Sequence, residues 1–209
     1  MKRSSYLDAL VQRSAELQRG SLELIDRSTR TQNAARAALH DARLARVTTL
    51  VVRGGFPPGW TSPKNLLVAA LDAALDAAKT RLGNVQLVEP NGVLRIYAQR
   101  GFAAPFLEFF EEVRPGLQSA CGAALMSGRQ VVVRDVQAHH LFRGKVVDVL
   151  REARVAAVVS SPIVDARGDL RGVLSVHHSV PGARSVTELR KLHFIARRAG
   201  LMLGERVAA

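Results

Sequence analysis

The spacing of apolar residues changes period along this chain, and each change marks a change of structure. From Tyr6 to Arg46 there is no proline and a single glycine, Gly20. Leu7, Leu10, Val11, Leu17, Leu24, Ala35, Ala38, Leu39 and Ala42 stand there among Arg, Glu and Gln, which predicts one amphipathic helix or two. Gly20 and the stretch "RSTRTQN" at 27–33 weaken the middle, and the heptad is too broken for a continuous coiled coil. Such a helix either packs on its own domain or serves as a dimerising signal helix. The stretch "RGGFPPGWTSPKN" then holds three prolines and three glycines in thirteen residues, which excludes helix and central strand. The expected organisation is a helical extension over 1–52, a Pro/Gly-rich linker over 53–64 and a domain over 65–206.

Ser62 can cap a helix with Pro63 in its first position, and "LLVAALDAALDAAKTRL" carries apolar residues at helical spacing through Leu67, Leu71, Ala74, Leu75, Ala78 and Leu82. Gly83 and Asn84 are expected to end it. The period then drops to two. "VQLVEPNGVLRIYAQRG" predicts two strands around the turn "EPNG". "FAAPFLEFFEEV" and "QSACGAALMSG" predict short helices, "RQVVVRDV" a strand and "KVVDVLREA" a helix. "VAAVVSSPIVDARGDLRGVLSVHH" predicts a second hairpin turning at Ala166 to Asp169. In the last segment Ser185 and Glu188 form an S-x-x-E capping box, and Leu189, Leu192, Ile195, Ala199 and Met202 form a buried stripe. Hairpin-linked strands between terminal helices argue for an α+β fold with an antiparallel sheet.

Composition narrows the chemistry. With 47% hydrophobic residues the chain can bury a normal core. No apolar run is long enough to span a membrane, and the N-terminus turns charged before a signal sequence could form, so a cytoplasmic location without membrane insertion is expected. The single cysteine, Cys121, excludes internal disulfides and CxxC redox or zinc motifs. A formal charge of +12 favours phosphate-rich partners. Most of it is arginine spread singly along the chain, so a basic nucleic-acid-associated regulator is kept only as an alternative.

Cys121 falls in the first turn of a helix whose expected cap is Ser119, a place that lowers a thiol pKa. Cys121, Ala124 and Leu125 also share one helix face, where cysteine serves as a small core residue. His177 and His178 are neighbours on a strand, point to opposite faces, and cannot serve one metal. Leu174 and Val176 form an aliphatic face by alternation, with His178 on the former's side, leaving Ser175 and His177 on the other. No G-x-S-x-G, P-loop, H-E-x-x-H or paired carboxylates mark a catalytic centre. Glu111 and Glu112 are expected to be solvated at a helix end.

Taken together, "GLQSACGAALMSGRQVVVRDVQAHHLFRG", "ARVAAVVSSPIVDARGDLRGVLSVHHSVP" and a helix opening "SVTELRKLHFIARRAG" resemble the GAF domain family. The closest resemblance is to GAF domains that accompany bacterial sensor histidine kinases of two-component systems. It spans roughly Asn65 to Arg206 and departs from the usual pattern at "VQAHHLFRG", where His139 and His140 replace an acidic-proline pair. The resemblance implies an antiparallel sheet of five or six strands with helices on both faces. It places the terminal helices on one face and a small-molecule pocket on the other, with dimers formed through terminal helices. Phe106, Phe109, Phe110, Cys121, Ser175 and His177 would then surround a small organic ligand.

The expected function is a stand-alone sensory or regulatory domain, a homodimer, that is not an enzyme and binds a small molecule or a partner protein such as a sensor kinase. The position of Cys121 also resembles that of a cysteine in the GAF-fold free methionine sulfoxide reductases. That redox chemistry needs a second thiol to resolve a sulfenic acid, and this chain has none.

Overall fold

A computed structural model describes residues 62–205, together with Arg13, Gly20, Ser21, Glu23, Leu24, residues 27–32 and Ala35. The described residues between 13 and 35 are helical, in keeping with their apolar spacing. The linker as far as residue 61 and most of the N-terminal extension lie outside the described residues. Two compact units divide the chain, Met1–Arg43 and Leu44–Ala209.

In the second unit the first helix, α1 (Pro63–Ala78), starts as its sequence requires. The Ser62 hydroxyl accepts from the Asn65 amide at 3.2 Å, and Pro63 stands where an amide hydrogen would have no partner. Its end comes earlier than the sequence suggests. Lys79 adopts a left-handed conformation, and its amide donates to the Asp76 and Leu75 carbonyls. Gly83 and Asn84 instead belong to β1 (Leu82–Val88). Gly83 serves close packing rather than helix termination. A Cβ there would lie 2.8 Å from a Leu75 methyl and 2.9 Å from the Ser175 carbonyl.

β1 turns back through Glu89 to Val93 into β2 (Leu94–Arg100), with the Gly92 amide donating to the Glu89 carbonyl. The next segment departs from expectation. Helix α2 covers only Ala104–Phe109, and Glu112–Val113 form a short strand, β3, paired with Leu94 and Arg95 of β2. Glu111 and Glu112 are therefore not merely solvated. Arg95 binds Glu111 at 3.2 Å and also contacts Glu112 closely, and this opposite-charge clasp turns the chain back to the sheet edge.

Helix α3 (Ala120–Ser127), strand β4 (Val131–Val133), helix α4 (Lys145–Glu152) and the hairpin of β5 (Ala157–Val164) and β6 (Leu170–His178) follow, and α5 (Val186–Glu205) closes the domain. The six strands form one antiparallel sheet in the order β3-β2-β1-β6-β5-β4. Alternation along the strands divides two cores. Val85, Val159, Ile163, Leu174 and Val176 meet α1 and the Leu192, Ile195, Ala196 and Ala199 stripe of α5. Leu94, Val158 and Val173 face the other way, with Phe102, Phe106, Phe110, Ala124 and Leu150. The fold is thus α+β with helices on both faces. Each large aliphatic side chain so enclosed contributes about 1.5–3 kcal/mol, and together these set the sheet's two-sided burial.

Only half of the expected capping box forms at α5. The Glu188 amide donates to the Ser185 hydroxyl at 3.1 Å, but a Glu188 carboxylate oxygen lies 3.2 Å from His178 Nε2 instead. At the opposite end of the β5–β6 hairpin, the buried Asp165 carboxylate accepts from the Arg167 and Asp169 amides and from Arg171 Nε, each at 2.9 Å. Burial alone would push this carboxyl up, but those bonds and the Arg171 charge hold it below its ordinary pKa. Arg197 of α5 donates to the Val164 and Asp165 carbonyls at 3.1 and 3.0 Å, which ties the last helix to this turn. Asp165→Ala is expected to lower the melting temperature at pH 7 more than Asp165→Asn, since only the latter keeps an acceptor for the turn amides; thermal denaturation of both variants checks the order.

Candidate functional site

On the sheet face away from α1 and α5, three strands expose polar side chains to a closed chamber. Asn84 on β1 is the register partner of Ser175 on β6, and Ser175 is the partner of Ser160 on β5. The three side chains therefore form one row across the sheet. The Ser160 and Ser175 hydroxyls lie 2.8 Å apart. His177, two residues along β6, extends the floor. Walls come from Phe106 and Phe110 around α2, Ser119 and Cys121 at the start of α3, Phe142 from the following loop, and Leu150 of α4.

Aromatic packing fixes the chamber's shape. Phe102 and Phe106 stack with centroids 3.7 Å apart and planes within 5°. Both present edge-on geometry to His177, at 5.0 and 5.7 Å. The remaining space is about 20 Å³, enough for roughly one water molecule. An organic ligand of even six heavy atoms must therefore displace something. The stacked Phe102–Phe106 pair is the natural part to move, because α2 is only six residues long and its N-cap, Ala103, makes no side-chain capping bond.

The site is buried and lined by no Asp, Glu, Lys or Arg. Burial, then the neighbouring His178 charge, push His177 down to about 3, against the opposing pull of a hydrogen bond to the Leu82 backbone. His177 is neutral at physiological pH. Its Nδ1 and the Asn84 Oδ1 are both buried without a hydrogen-bond partner. Leaving a buried polar group unpaired costs about 1–3 kcal/mol, so each is a place where a bound molecule would gain stability.

Cys121 behaves differently from the expectation for a helix N-terminus. Burial raises its pKa and outweighs the lowering by hydrogen bonds from Ser119 and backbone amides. The thiol Sγ lies 3.3 Å from the Ser119 Oγ, whose hydroxyl also caps α3 through the Gly122 amide at 3.1 Å. Ser119→Ala removes both contacts. The expected result is a loss of about 1 kcal/mol in urea unfolding, together with slower thiol labelling by an alkylating reagent.

Five of the six residues singled out from the sequence, Phe106, Phe110, Cys121, Ser175 and His177, meet around this chamber. Phe109 does not line it. It turns outward, edge-on to Phe110 at 4.9 Å and 5.8 Å from the Lys145 ammonium. His178 sits on the helix side, against Glu188. His139 and His140 stack on each other at 4.5 Å, outside the chamber lining. Among the described residues, no group of three or more His, Cys, Asp or Glu could hold a metal ion, and no helix is long and apolar enough to cross a membrane.

Asn84, Ser160 and Phe142 also line the chamber, beyond the residues expected from the sequence. The local composition of "GN" is that of a helix stop, which hides the place of Asn84 in β1. Ser160 was detectable, since the alternation that selects Ser175 and His177 on β6 selects Val158 and Ser160 on β5.

The sequence matches the GAF domain family over residues 26–203. This chain belongs to that family. Its GAF fold is shared with a free methionine-R-sulfoxide reductase from Neisseria meningitidis solved in complex with its substrate, at 20% identity and a TM-score of 0.61, covering 83% of this chain and 94% of that one. A domain described as part of a two-component sensor histidine kinase protein from Sinorhizobium meliloti 1021 is 21% identical with a TM-score of 0.57, over 67% of this chain and 90% of that one. A GAF domain/HD domain protein from Geobacter sulfurreducens is 18% identical with a TM-score of 0.61, over 72% and 97%. No curated protein matches the sequence. At these identities the likeness is one of fold. The match to the family begins at residue 26, within the segment expected from its composition to be a helical extension.

Proposed function

We propose that this GAF domain is a sensory module that binds a small organic molecule between its sheet and the α2–α3–α4 side. It acts as a homodimer and hands its occupancy to a signalling partner, with a sensor kinase the leading candidate. The observation that carries this reading is the pair of buried, unpartnered polar atoms, Asn84 Oδ1 and His177 Nδ1, inside an aromatic chamber. The helices α1 and α5 occupy the opposite sheet face, so a shift of the strands on ligand entry reaches them through Val85, Leu174 and Val176. A ligand drives such a shift only by binding the open arrangement better than the closed one. Its binding energy must therefore exceed that of the Phe102–Phe106 stack it displaces.

Native mass spectrometry of protein taken directly from a bacterial lysate tests the reading. A dimer carrying a reproducible extra mass of a few hundred daltons is expected, and His177→Ala should lose most of that mass while remaining folded. A bare protein that also fails to retain any member of a metabolite mixture would remove the small-molecule reading and leave a protein-interaction platform.

The reductase among the fold relatives, together with Cys121 in the chamber wall, favours testing a second reading, a redox enzyme. The raised thiol pKa and the lack of another cysteine weigh against it. With free methionine sulfoxide and a thiol reductant, wild type and Cys121→Ser are expected to show equal background rates. Turnover present in wild type and lost in the variant would replace the sensor by an enzyme.

A further inference from the structure

Gln86 lies two residues beyond Asn84 on β1, on the same face of the strand and about 7 Å further along it. It is fully buried, and neither its side-chain nitrogen nor its oxygen has a hydrogen-bond partner. Its register neighbours, Ile96 on β2 and Val173 on β6, are apolar. A buried primary amide with nothing bonded to either end weakens a fold that an isosteric leucine at the same place would strengthen. The unpartnered Gln86 amide and the unpartnered Asn84 carbonyl oxygen, in a row on one strand face, mark a surface built to be completed by something else. Together they offer acceptors at both carbonyl oxygens and donors at the Gln86 amide.

Resting on the ligand-binding reading above, we infer that the floor of the chamber extends past Asn84 to Gln86 and selects an uncharged, planar molecule presenting a hydrogen-bond donor and an acceptor on one edge. A primary amide, a lactam or a ring carrying adjacent N–H and C=O groups has this pattern. A carboxylate offers the row no donor, and a cation offers the Gln86 amide no acceptor. Neither ion finds an opposite charge, because no Asp, Glu, Lys or Arg lines the chamber, and burying an unpaired charge is far more costly than burying a neutral amide. Phe106, Phe110 and Phe142 line the chamber, and aromatic side chains favour a planar ring once the chamber opens to admit it.

Benzamide, benzoate, benzamidine and toluene share one planar size and differ in this respect alone. Each is titrated into the full chain at neutral pH while the side-chain amide signals of Asn84 and Gln86 are followed by NMR. Benzamide is expected to shift both signals and to bind at least tenfold more tightly than either ion. Asn84→Leu and Gln86→Leu should each weaken benzamide about tenfold, the equivalent of roughly 1.4 kcal/mol, leave toluene unchanged, and raise the melting temperature. Ions that bind as well as benzamide, or leucine variants that bind benzamide normally, overturn this inference and leave the ligand-binding reading standing. Failure of all four probes, toluene included, to perturb the chamber counts against both.

Discussion

Acidification from pH 6.5 to pH 4.5 is expected to destabilise this domain strongly, because two buried imidazoles stay neutral in the fold while the unfolded chain takes up protons readily. Burial, then the neighbouring His178, hold His177 down to about 3. Burial and the Arg184 charge hold His178 down to about 4. In the unfolded chain both titrate near 6.5. Their contribution to stability is therefore fully present above about pH 6.5 and is lost as pH falls from there towards the folded values. With two protons bound only by the unfolded state, the slope approaches about 2.7 kcal/mol per pH unit. His177 alone contributes a loss of about 2 kcal/mol by pH 5 and His178 a smaller, solvent-screened share, which together are a sizeable part of the 5–15 kcal/mol that holds a typical domain together. Glu188 acts in the opposite sense. Burial raises its carboxyl, against the pull of Arg184, so its protonation at low pH stabilises the fold and softens the slope. Urea midpoints measured at pH 7.5, 6.5, 5.5 and 4.5 should fall steeply below 6.5 in wild type and about half as steeply in His177→Gln. A midpoint that stays level down to pH 5 would mean that both rings are solvated.

Gly200→Ala is expected to destabilise the domain although it improves a helix. In α5, alanine would gain up to about 1 kcal/mol in propensity over glycine. A Cβ at this position, however, would stand 2.1 Å from the Val164 carbonyl oxygen, 2.5 Å from its carbon and 2.7 Å from its amide nitrogen. All three are backbone atoms of β5, held by pairing with β6 and by the Asp165 turn, so no side chain can rotate away. The helix must lift instead, which stretches the Arg197 bonds to the Val164 and Asp165 carbonyls. Overpacking of this kind costs about 1–3 kcal/mol and sometimes more. A net loss of about 2 kcal/mol lowers the melting temperature by about 6 °C. Gly204→Ala should cost less, since its Cβ would meet the Asp165 side chain at 2.9 Å rather than backbone. Calorimetry of the two variants checks the order, and a Gly200→Ala protein that melts higher than wild type would show that α5 does not seat so closely on the hairpin.

The coupling of α5 to both ends of the β5–β6 hairpin bears on signalling. One end is tied through Asp165 and Arg197, and at the other His178 Nε2 lies 3.2 Å from a Glu188 carboxylate oxygen. His177, on the chamber side, and His178, on the helix side, are adjacent residues of one strand. A ligand that moves His177 therefore moves the backbone carrying the helix contact one residue away.

Local patterns carried much of this domain. Ser62–Pro63, Ser119 and Ser185 mark helix starts because a hydroxyl cap depends only on residues three positions apart. Alternation along "VLSVHH" assigned Ser175 and His177 to one face and His178 to the other because the side-chain period of a strand is fixed by its covalent geometry. The errors fell where a distant partner decides. Gly83–Asn84 has the composition of a helix stop, yet pairing with β6 and packing under Leu75 draw it into β1. Glu111 and Glu112 have the composition of a solvated helix end, yet Arg95, 16 and 17 positions away, turns them into a sheet edge.

Most of the element order, the two antiparallel hairpins and the two-sided alternation of their strands are legible in the sequence, whereas the short strand Glu112–Val113 is not. The legible features follow from periodicity, turn residues or short-range capping, while the family and the face taken by the terminal helices are what the resemblance of longer blocks implies. Long-range packing is what lines up Asn84, Ser160 and Ser175 across three strands, buries Gln86 without a partner, keeps Phe109 out of the chamber lining and buries the Cys121 thiol. Those outcomes depend on strand register and on which side chains exclude water, and both are set by contacts between residues far apart in the chain.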